Sequence, residues 1–252
     1  MQPTLSICVP VFNEAENIPL LHEAIVQVVD PAQISAEIIL VDDGSTDGSW
    51  KQIENLVAQD PRVRGIRFKS NRGETAASDA GLRAARGRFL MTMDADLQND
   101  PRDIPKFLDA LDQGFDCVCG TRVASRSEGD SFLRVASSRI ANWVRNKLSD
   151  EEISDAGCTY RAFRSECIAK LKLYRGLHRF IPTLLKMEGF TVTEIPVTHN
   201  PRLHGQSKYG VWNRLFKSFH DLLAIRWMKS RVLDYEIAQQ LDRTRELSEI
   251  SR

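Results

Sequence analysis

The sequence has no long apolar run and no excess of charge of either sign. No stretch approaches the roughly 18 apolar residues that a membrane-spanning helix needs, and the N-terminus lacks the regions of a signal peptide. The 252 residues include 34 Lys and Arg against 34 Asp and Glu, whereas general nucleic-acid binders are strongly basic. We therefore expect a cytoplasmic protein, or one bound peripherally to the cytoplasmic face of a membrane, with no nucleic-acid partner.

Several common site motifs are missing as well. The chain contains neither GxxxxGK[ST] nor GxGxxG, which disfavours P-loop NTPases and dinucleotide-dependent dehydrogenases. It has no HExxH and no CxxC pair, and its five histidines are scattered, so no zinc site is predicted. The five cysteines, an odd number, are interpreted as reduced thiols in the core.

The first 120 residues alternate short apolar runs with helical patterns. Such an alternation predicts βαβ units and a mainly parallel α/β sheet. The apolar runs are continuous, which is typical of strands covered by helices on both faces. The predicted strands cover residues 5–9, 37–41, 63–68, 89–93 and 117–120, and the helices cover 17–29, a segment near Trp50, 75–85 and 104–111.

The alternation of short apolar runs with helical patterns ends after residue 120. We expect a polar loop over 121–131, an Arg-rich helix over 132–148, a strand over 191–197 and a basic loop over 200–210. A basic amphipathic helix over 214–230 and a charged, helical or frayed tail from 234 follow. The predicted organisation is one α/β domain over 1–212, then the basic helix and charged tail over 213–252.

Polar clusters follow three of the predicted strands. They are Pro10 to Glu14, Asp42 to Ser45 and Asp94 to Gln98. In open α/β sheets, ligands bind at the carboxyl ends of the strands, and three clusters on one edge are unlike the scattered Asp residues of ordinary turns. The sequence therefore predicts a ligand site at this edge.

Asp94 and Asp96 are two residues apart in a turning segment, so both carboxylates can approach one ligand. Hard oxygen donors of this kind suit Mg²⁺ or Mn²⁺. Without a glycine-rich phosphate loop, a diphosphate would be held by the metal ion and by basic side chains. The cofactor that we expect is therefore Mg²⁺ or Mn²⁺.

Three motifs in order carry a family resemblance. Val-Pro-Val-Phe-Asn-Glu at 9–14, Val-Asp-Asp-Gly-Ser-Thr-Asp-Gly at 41–48 and Met-Asp-Ala-Asp-Leu-Gln at 93–98 resemble the inverting family 2 glycosyltransferases of GT-A fold. Within that family the chain is most similar to the dolichol-phosphate mannose synthase group, the polyprenyl-phosphate sugar transferases. The resemblance extends from residue 5 to about residue 212.

The resemblance implies a role for each matching residue on the donor side. Pro10, Phe12 and Glu14 would line the nucleoside site, and Asp43 would face the base or ribose. Asp94 would lie beside the nucleotide. Two residues would ligate the metal ion on the diphosphate, namely Asp96 and Gln98.

The resemblance also implies catalytic and phosphate-binding residues later in the chain. Arg122 belongs to a Gly-Thr-Arg element, and Arg134 with Ser138 matches a pair that handles the acceptor phosphate. Arg202 and Lys208 belong to a loop that closes over the donor phosphates. The segment 155–161 resembles the part of the family that lines the sugar site.

The chain departs from its relatives in ways that bear on the acceptor. Membrane-anchored members of the group carry transmembrane helices after the catalytic domain, and none is predicted in residues 213–252. Leu223 stands where processive synthases carry the Gln of Gln-x-x-Arg-Trp. No Glu-Asp pair that could act as a base follows the sugar segment. Since a phosphate monoester is largely a dianion at pH 7, it needs no base.

We therefore expect inverting transfer of one sugar from GDP-mannose or a UDP-hexose to a polyprenyl phosphate. Two alternatives stay open, namely a transferase acting on a sugar or protein hydroxyl, and a catalytically silent nucleotide-sugar-binding subunit of a membrane complex. The sequence does not distinguish the sugars or the bases. For the helix over 214–230, contact with a membrane surface or membrane-protein partner and packing on the protein's own core are equally open.

Overall fold

The computed structural model describes residues 2–122, 153–155, 157–201, 211–233 and 235–239, with the backbone alone over 211–219. All five cysteines are buried free thiols, as predicted. The predicted helix over 132–148 and most of the two predicted loops lie outside the described residues.

Seven strands form one sheet, and described helices flank it. The strands are β1 (Leu5–Val11), β2 (Ala36–Asp42), β3 (Val63–Arg67), β4 (Phe89–Thr92), β5 (Cys117–Thr121), β6 (Arg161–Arg164) and β7 (Val192–Pro196). The helices are α1 (Asn17–Val29), α2 (Ser49–Gln59), α3 (Glu74–Ala84), α4 (Ile104–Asp112), α5 (Ser165–Lys170), α6 (Ile181–Met187) and α7 (Val211–Lys229), with 3-10 turns at Pro101–Asp103 and Leu177–Phe180.

The strand order is β3-β2-β1-β4-β6-β5-β7. All paired strands are parallel except β6, which runs antiparallel to both β4 and β5. Strand β1 lies at the centre of the parallel part, with Val11 opposite Asp42 and Cys8 opposite Thr92. The prediction of a mainly parallel α/β sheet is confirmed.

Alternate residues of the strands enter two separate cores. In β1, Ile7 and Val9 face the core shared with α1, α2 and α4. Cys8 faces the second core, which is shared with α3, α5 and α6. Because both faces are covered, the central strands β1 and β2 are buried almost throughout, which explains their continuous apolar runs.

The C-terminal helix α7 packs on the domain through a small third core. Leu222 and Ile225 of α7 are buried there against Leu177 and Phe180 of the second 3-10 turn. The predicted division between 1–212 and 213–252 falls just inside the start of α7 and stays a prediction. In the described part of the tail, residues 235–239 form no helix.

Candidate active site

The three polar clusters meet at one edge of the sheet. They follow β1, β2 and β4, which are neighbours in the order β2-β1-β4. Backbone hydrogen bonds continue the pairing past the strand ends, since the Asp43 N–H donates to the Val11 carbonyl at 2.8 Å and the Met93 N–H to the Cys8 carbonyl at 3.2 Å. The expected shared edge is therefore present.

The loop after β1 is joined to the loop after β2. The Asn13 N–H donates to Ser45 Oγ at 2.9 Å, and the Thr46 N–H returns a bond to Asn13 Oδ1 at 2.8 Å. The Glu14 N–H donates to Ser49 Oγ at 2.8 Å. Asn13 has a φ of +54°, a conformation that Asn tolerates better than most residues. The two loops thus form one preorganised unit.

The residues predicted for the nucleoside lie on this unit or next to it. Pro10, Phe12 and Glu14 are half-buried. The Glu14 carboxylate accepts a hydrogen bond from Asn17 Nδ2 at 2.7 Å, which fixes its orientation. Their contact with a nucleoside stays a prediction.

Asp43 is buried and braces the next loop. Its two carboxylate oxygens accept the backbone N–H groups of Arg72 at 2.6 Å and Gly73 at 2.8 Å. Next to it, Gly44 has a φ of +71°, and a side chain there would lie 2.7 Å from the backbone of Ser70 and Asn71. This brace was not predicted from the sequence, and the expected contact of Asp43 with a base or ribose stays a prediction.

Asp94 is close to one hydroxyl group and to charged side chains of both signs. The Thr159 hydroxyl donates to Asp94 Oδ2 at 2.6 Å. Burial raises the pKa of the Asp94 carboxyl above its usual range, and the Asp96 charge raises it further. The Thr159 hydrogen bond and the charges of Arg122 and Arg161 act in the opposite direction.

Asp96 and Gln98 lie on a tight turn that contacts a later segment. Leu97 between them has a φ of +63°, and the Gln98 N–H donates to Asp96 Oδ1 at 3.2 Å. The Gln98 side-chain nitrogen lies 3.4 Å from His199 Nε2 and 3.5 Å from the Asn200 carbonyl. His199 was missed because only the spatial pairing of Asn99 with His199 brings it here.

The donor set suits a hard divalent cation. Among the described residues, no three or more His, Cys, Asp or Glu side chains are arranged to hold a metal ion. A magnesium ion on a diphosphate needs only one or two protein carboxylates, because phosphate and water oxygens complete its shell. The mutual repulsion of Asp94 and Asp96 is also a feature that a bound cation would relieve.

Arg122 reaches this site but is held by a carboxylate. Its Nε and Nη2 donate to the two oxygens of Asp155 at 2.7 and 3.0 Å, and both side chains are largely buried. The segment expected to line the sugar site therefore contacts Arg122 directly. The other four predicted catalytic residues, Arg134, Ser138, Arg202 and Lys208, lie outside the described residues.

Two buried basic side chains lie next to each other here: Arg161, the last residue of the segment expected to line the sugar site, and His178, which was not predicted. Arg161 of β6 is 2% exposed, and its Nη1 donates to the His178 carbonyl at 2.5 Å. His178 contacts α3 through Thr75 Oγ at 2.7 Å and Glu74 Oε1 at 3.5 Å. These contacts of His178 join residues that are about 100 positions apart in the chain, so no local sequence signal predicts His178.

The known sequences that this chain resembles are glycosyltransferases. A family model described as "Glycosyl transferase family 2" matches residues 6–172. The dodecaprenyl-phosphate galacturonate synthase of Rhizobium johnstonii is 37% identical over 225 residues, which is 88% of this chain and 66% of the relative. The undecaprenyl-phosphate 4-deoxy-4-formamido-L-arabinose transferase of Aeromonas hydrophila is 35% identical over 87% of this chain and 66% of the relative. The chain thus spans just under two thirds of the length of these curated relatives.

Solved structures share the fold at lower identity. A mannosyltransferase from Pyrobaculum calidifontis, in complex with GDP-Man and Mn²⁺, superposes with a TM-score of 0.64 at 20% identity, over 94% of this chain and 66% of that one. Glucosyl-3-phosphoglycerate synthase from Mycobacterium tuberculosis gives a TM-score of 0.63 at 16% identity, over 96% and 85%. That synthase has also been solved with Mg²⁺ and UDP. These matches confirm the expected GT-A architecture, and divalent cations occur in it.

Proposed function

The chain belongs to glycosyl transferase family 2, and from this premise we propose that it transfers one sugar from a nucleotide-sugar to a polyprenyl phosphate. The observation that carries the proposal is what its relatives share. One acts on galacturonate and another on 4-deoxy-4-formamido-L-arabinose, yet both are named for a polyprenyl phosphate, of dodecaprenyl and undecaprenyl length. The lipid phosphate is therefore the constant part of the reaction and the sugar is the variable part.

On the donor side, the joined loops after β1 and β2 would receive the nucleoside, with Asp94 beside it. Asp96 and Gln98 would hold Mg²⁺ or Mn²⁺ against the diphosphate. When bound, the cation supplies Lewis-acid stabilisation of the departing nucleoside diphosphate. The GDP-mannose and UDP-hexose donors remain alternatives.

On the acceptor side, a phosphate oxygen would attack the anomeric carbon in line and invert it. The phosphate is already largely dianionic at pH 7, so the protein need only position it and offset its charge. Arg122, Arg134 and Ser138 are the proposed acceptor-phosphate residues, and Arg202 with Lys208 would close over the donor phosphates.

The Arg122–Asp155 ion pair supports a phosphate acceptor over a hydroxyl acceptor. A hydroxyl acceptor needs a carboxylate base at the site. The Asp155 carboxylate accepts hydrogen bonds from Arg122 on both oxygens, an arrangement that directs both oxygens toward Arg122 rather than toward an acceptor hydroxyl. The silent-subunit alternative is disfavoured by the presence of Asp94, Asp96 and Gln98 on one strand-end turn.

We also propose that α7 attaches the protein peripherally to the membrane that holds the lipid acceptor. Leu222 and Ile225 are buried, but Leu223 and Trp227 are 44% and 62% exposed. Arg226 lies beside them and is also exposed, a combination suited to anionic lipid. No helix of the described residues could cross a membrane. Attachment at the cytoplasmic face stays a prediction.

A donor screen tests the proposal. A ligand that binds only the folded protein raises its stability by RT ln(1 + [L]/Kd), so UDP- and GDP-sugars are compared by thermal shift with and without Mn²⁺. We expect one nucleotide series to raise the melting temperature in a Mn²⁺-dependent manner, and nucleoside diphosphate to be released when polyprenyl phosphate is added. Binding without release would favour the silent subunit, and no binding would contradict the proposal.

A further inference from the structure

The side chain of Glu194 holds a backbone segment next to the site. Glu194 lies on β7, opposite Cys119 of β5, and is half-buried. Its Oε2 and Oε1 accept the Ser154 N–H at 3.0 and 3.1 Å, and Oε1 also accepts the Asp155 N–H at 3.4 Å. A carboxylate that accepts two successive backbone N–H groups fixes the position of that backbone, because these hydrogen bonds are charge-assisted.

A second contact joins the same segment to the end of β5. Thr121 Oγ1 lies 2.8 Å from Ser154 Oγ. Thr121 is also bound to the end of β7, since its carbonyl accepts the Val197 N–H at 3.0 Å. Strands β5 and β7 therefore both hold this segment, and Arg122 follows directly after Thr121.

The segment held in this way carries the carboxylate that binds Arg122. The Arg122 backbone N–H, its Nε and its Nη2 all donate to the Asp155 carboxylate, at 3.2, 2.7 and 3.0 Å. A guanidinium bound along its Nε–Nη2 edge has a fixed plane, and its Nη1 lies on the side away from the carboxylate. The orientation of Arg122 therefore depends on Asp155, and the position of Asp155 depends on Glu194.

Resting on the proposed function, we propose that Glu194 is a positioning residue for the acceptor phosphate. It acts through other residues, because it holds the Asp155 backbone and Asp155 in turn orients the Arg122 guanidinium toward the phosphate. Recognition of phosphate by the planar fork of Arg depends on its direction, and small misplacements of a positioning group lower the rate of transfer. Glu194 thus contributes to acceptor affinity without belonging to the donor site.

Substitutions at Glu194 test this role. Glu194→Ala removes both accepting oxygens, whereas Glu194→Gln retains one of them. Glu188→Ala, at an exposed position just after α6, is the matched control. Three quantities are measured, namely the KM and kcat with polyprenyl phosphate, the dissociation constant of the nucleotide-sugar with Mn²⁺ present, and the melting temperature.

We expect Glu194→Ala to raise the KM for polyprenyl phosphate about threefold to tenfold, the usual effect of a lost hydrogen bond. The dissociation constant of the nucleotide-sugar should stay at the wild-type value. Glu194→Gln should raise the KM less than Glu194→Ala does, since one accepting oxygen remains. Glu188→Ala should behave as the wild-type protein in all three measurements.

A double-mutant cycle with Arg122 separates positioning from a general loss of structure. The cycle is measured as kcat/KM for polyprenyl phosphate, which initial rates at low acceptor concentration give even for slow variants. If Glu194 acts through Arg122, Glu194→Ala should lower kcat/KM little further in an Arg122→Ala background, because the group that it positions is already absent.

Three results would overturn the inference. The first is a Glu194→Ala variant with the wild-type KM for polyprenyl phosphate. The second is a full, independent effect of Glu194→Ala in the Arg122→Ala background. The third is a loss of donor affinity by the same factor as the rise in acceptor KM, which would give Glu194 a structural role only. Failure of the proposed function looks different, since the wild-type protein itself would then form no product with polyprenyl phosphate.

Discussion

At the scale of single residues, the carboxylates of the strand-end edge have two kinds of partner. Asp43 and Asp155 are occupied by protein groups, the first by two backbone N–H groups and the second by a guanidinium. Asp94 and Asp96 each accept one hydrogen bond, from Thr159 and from the Gln98 N–H, and they also lie close to each other. Burial and the Asp96 charge raise the pKa of the Asp94 carboxyl. The first pair shapes the site, and the second pair is the proposed source of the negative charge that a divalent cation requires.

Replacing Asp96 tests this division. We expect Asp96→Ala to abolish turnover and to make nucleotide binding independent of Mn²⁺, because the cation loses its carboxylate ligand. Asp112→Asn, at a 59% exposed side chain on α4, should change neither property. The measurement is calorimetric nucleotide titration with and without Mn²⁺, beside a turnover assay. Undiminished turnover in EDTA would show that no metal ion is needed.

Arg134 tests the acceptor phosphate. Arg134→Ala should raise the KM for polyprenyl phosphate about tenfold to hundredfold, since loss of a charged hydrogen bond costs roughly 1.5–3 kcal/mol, and leave donor binding nearly unchanged. Arg134→Lys should recover only part of the loss, because Lys lacks the bidentate fork. Arg88→Ala, at an exposed ion pair, is the control. A defect in donor binding alone would favour the hydroxyl-acceptor alternative.

At the scale of elements, continuous apolar runs in the sequence predicted the parallel strands. Strand β6 was not predicted, because it has no such run. Strand β6 reads Arg-Ala-Phe-Arg, which has no apolar run. Its two arginines can be buried because backbone carbonyls accept their N–H groups. Arg161 donates to the His178 carbonyl, and Arg164 donates to the carbonyls of Leu111 and Phe115. Such compensation depends on tertiary packing and leaves no local sequence signal.

The sequence left two interpretations of helix α7 open, namely contact with a membrane and packing on the protein's own core. The described residues show one face of α7 buried and another exposed. We expect the protein to float with anionic vesicles at low salt, and Leu223→Ser with Trp227→Ser to abolish flotation without lowering the melting temperature. Ile225→Ala, a matched change on the buried face, should instead cost about 2–5 kcal/mol of stability. Wild-type protein that stays at the bottom of the gradient would remove the proposed membrane contact.

The junction of α1, α2 and β3 predicts acid sensitivity. Asp60 accepts hydrogen bonds from Arg62 and contacts His22, and Arg62 also bonds Asp30. These hydrogen bonds, chiefly those from Arg62, hold the pKa of Asp60 well below its usual value of 3.8. A carboxyl with a lowered pKa in the folded state stabilises it above the unfolded pKa and loses that effect as the pH falls.

Urea unfolding between pH 7 and pH 3 measures this effect. The wild-type free energy of unfolding should decline below about pH 4, and Asp60→Asn should be less stable at pH 7 and show a shallower decline. Asp112→Asn, whose side chain is exposed, should retain the wild-type slope. An unchanged slope in Asp60→Asn would mean that other carboxyl groups dominate acid unfolding.

At the scale of the whole molecule, the edge of the site was predictable and its interior was not. Asp42 and Asp94 follow apolar runs directly and Asp96 lies two residues further, and parallel pairing brings such positions together. The brace from Asp43 to Arg72 and Gly73 spans 29 and 30 residues. The contact of Thr75 with His178 spans 103. Long-range contacts of this kind are set by packing, so only the structure identifies them.

The central claim is that a lipid phosphate accepts the sugar, and a matched pair of acceptors tests it most directly. The protein is incubated with its nucleotide-sugar, Mn²⁺ and either a polyprenyl phosphate or the polyprenol of the same length, and products are identified by mass spectrometry. The account predicts one sugar added to the polyprenyl phosphate, with inverted anomeric configuration, and no product from the polyprenol. A product from the alcohol, or from a sugar or protein hydroxyl but not from the phosphate, would contradict it.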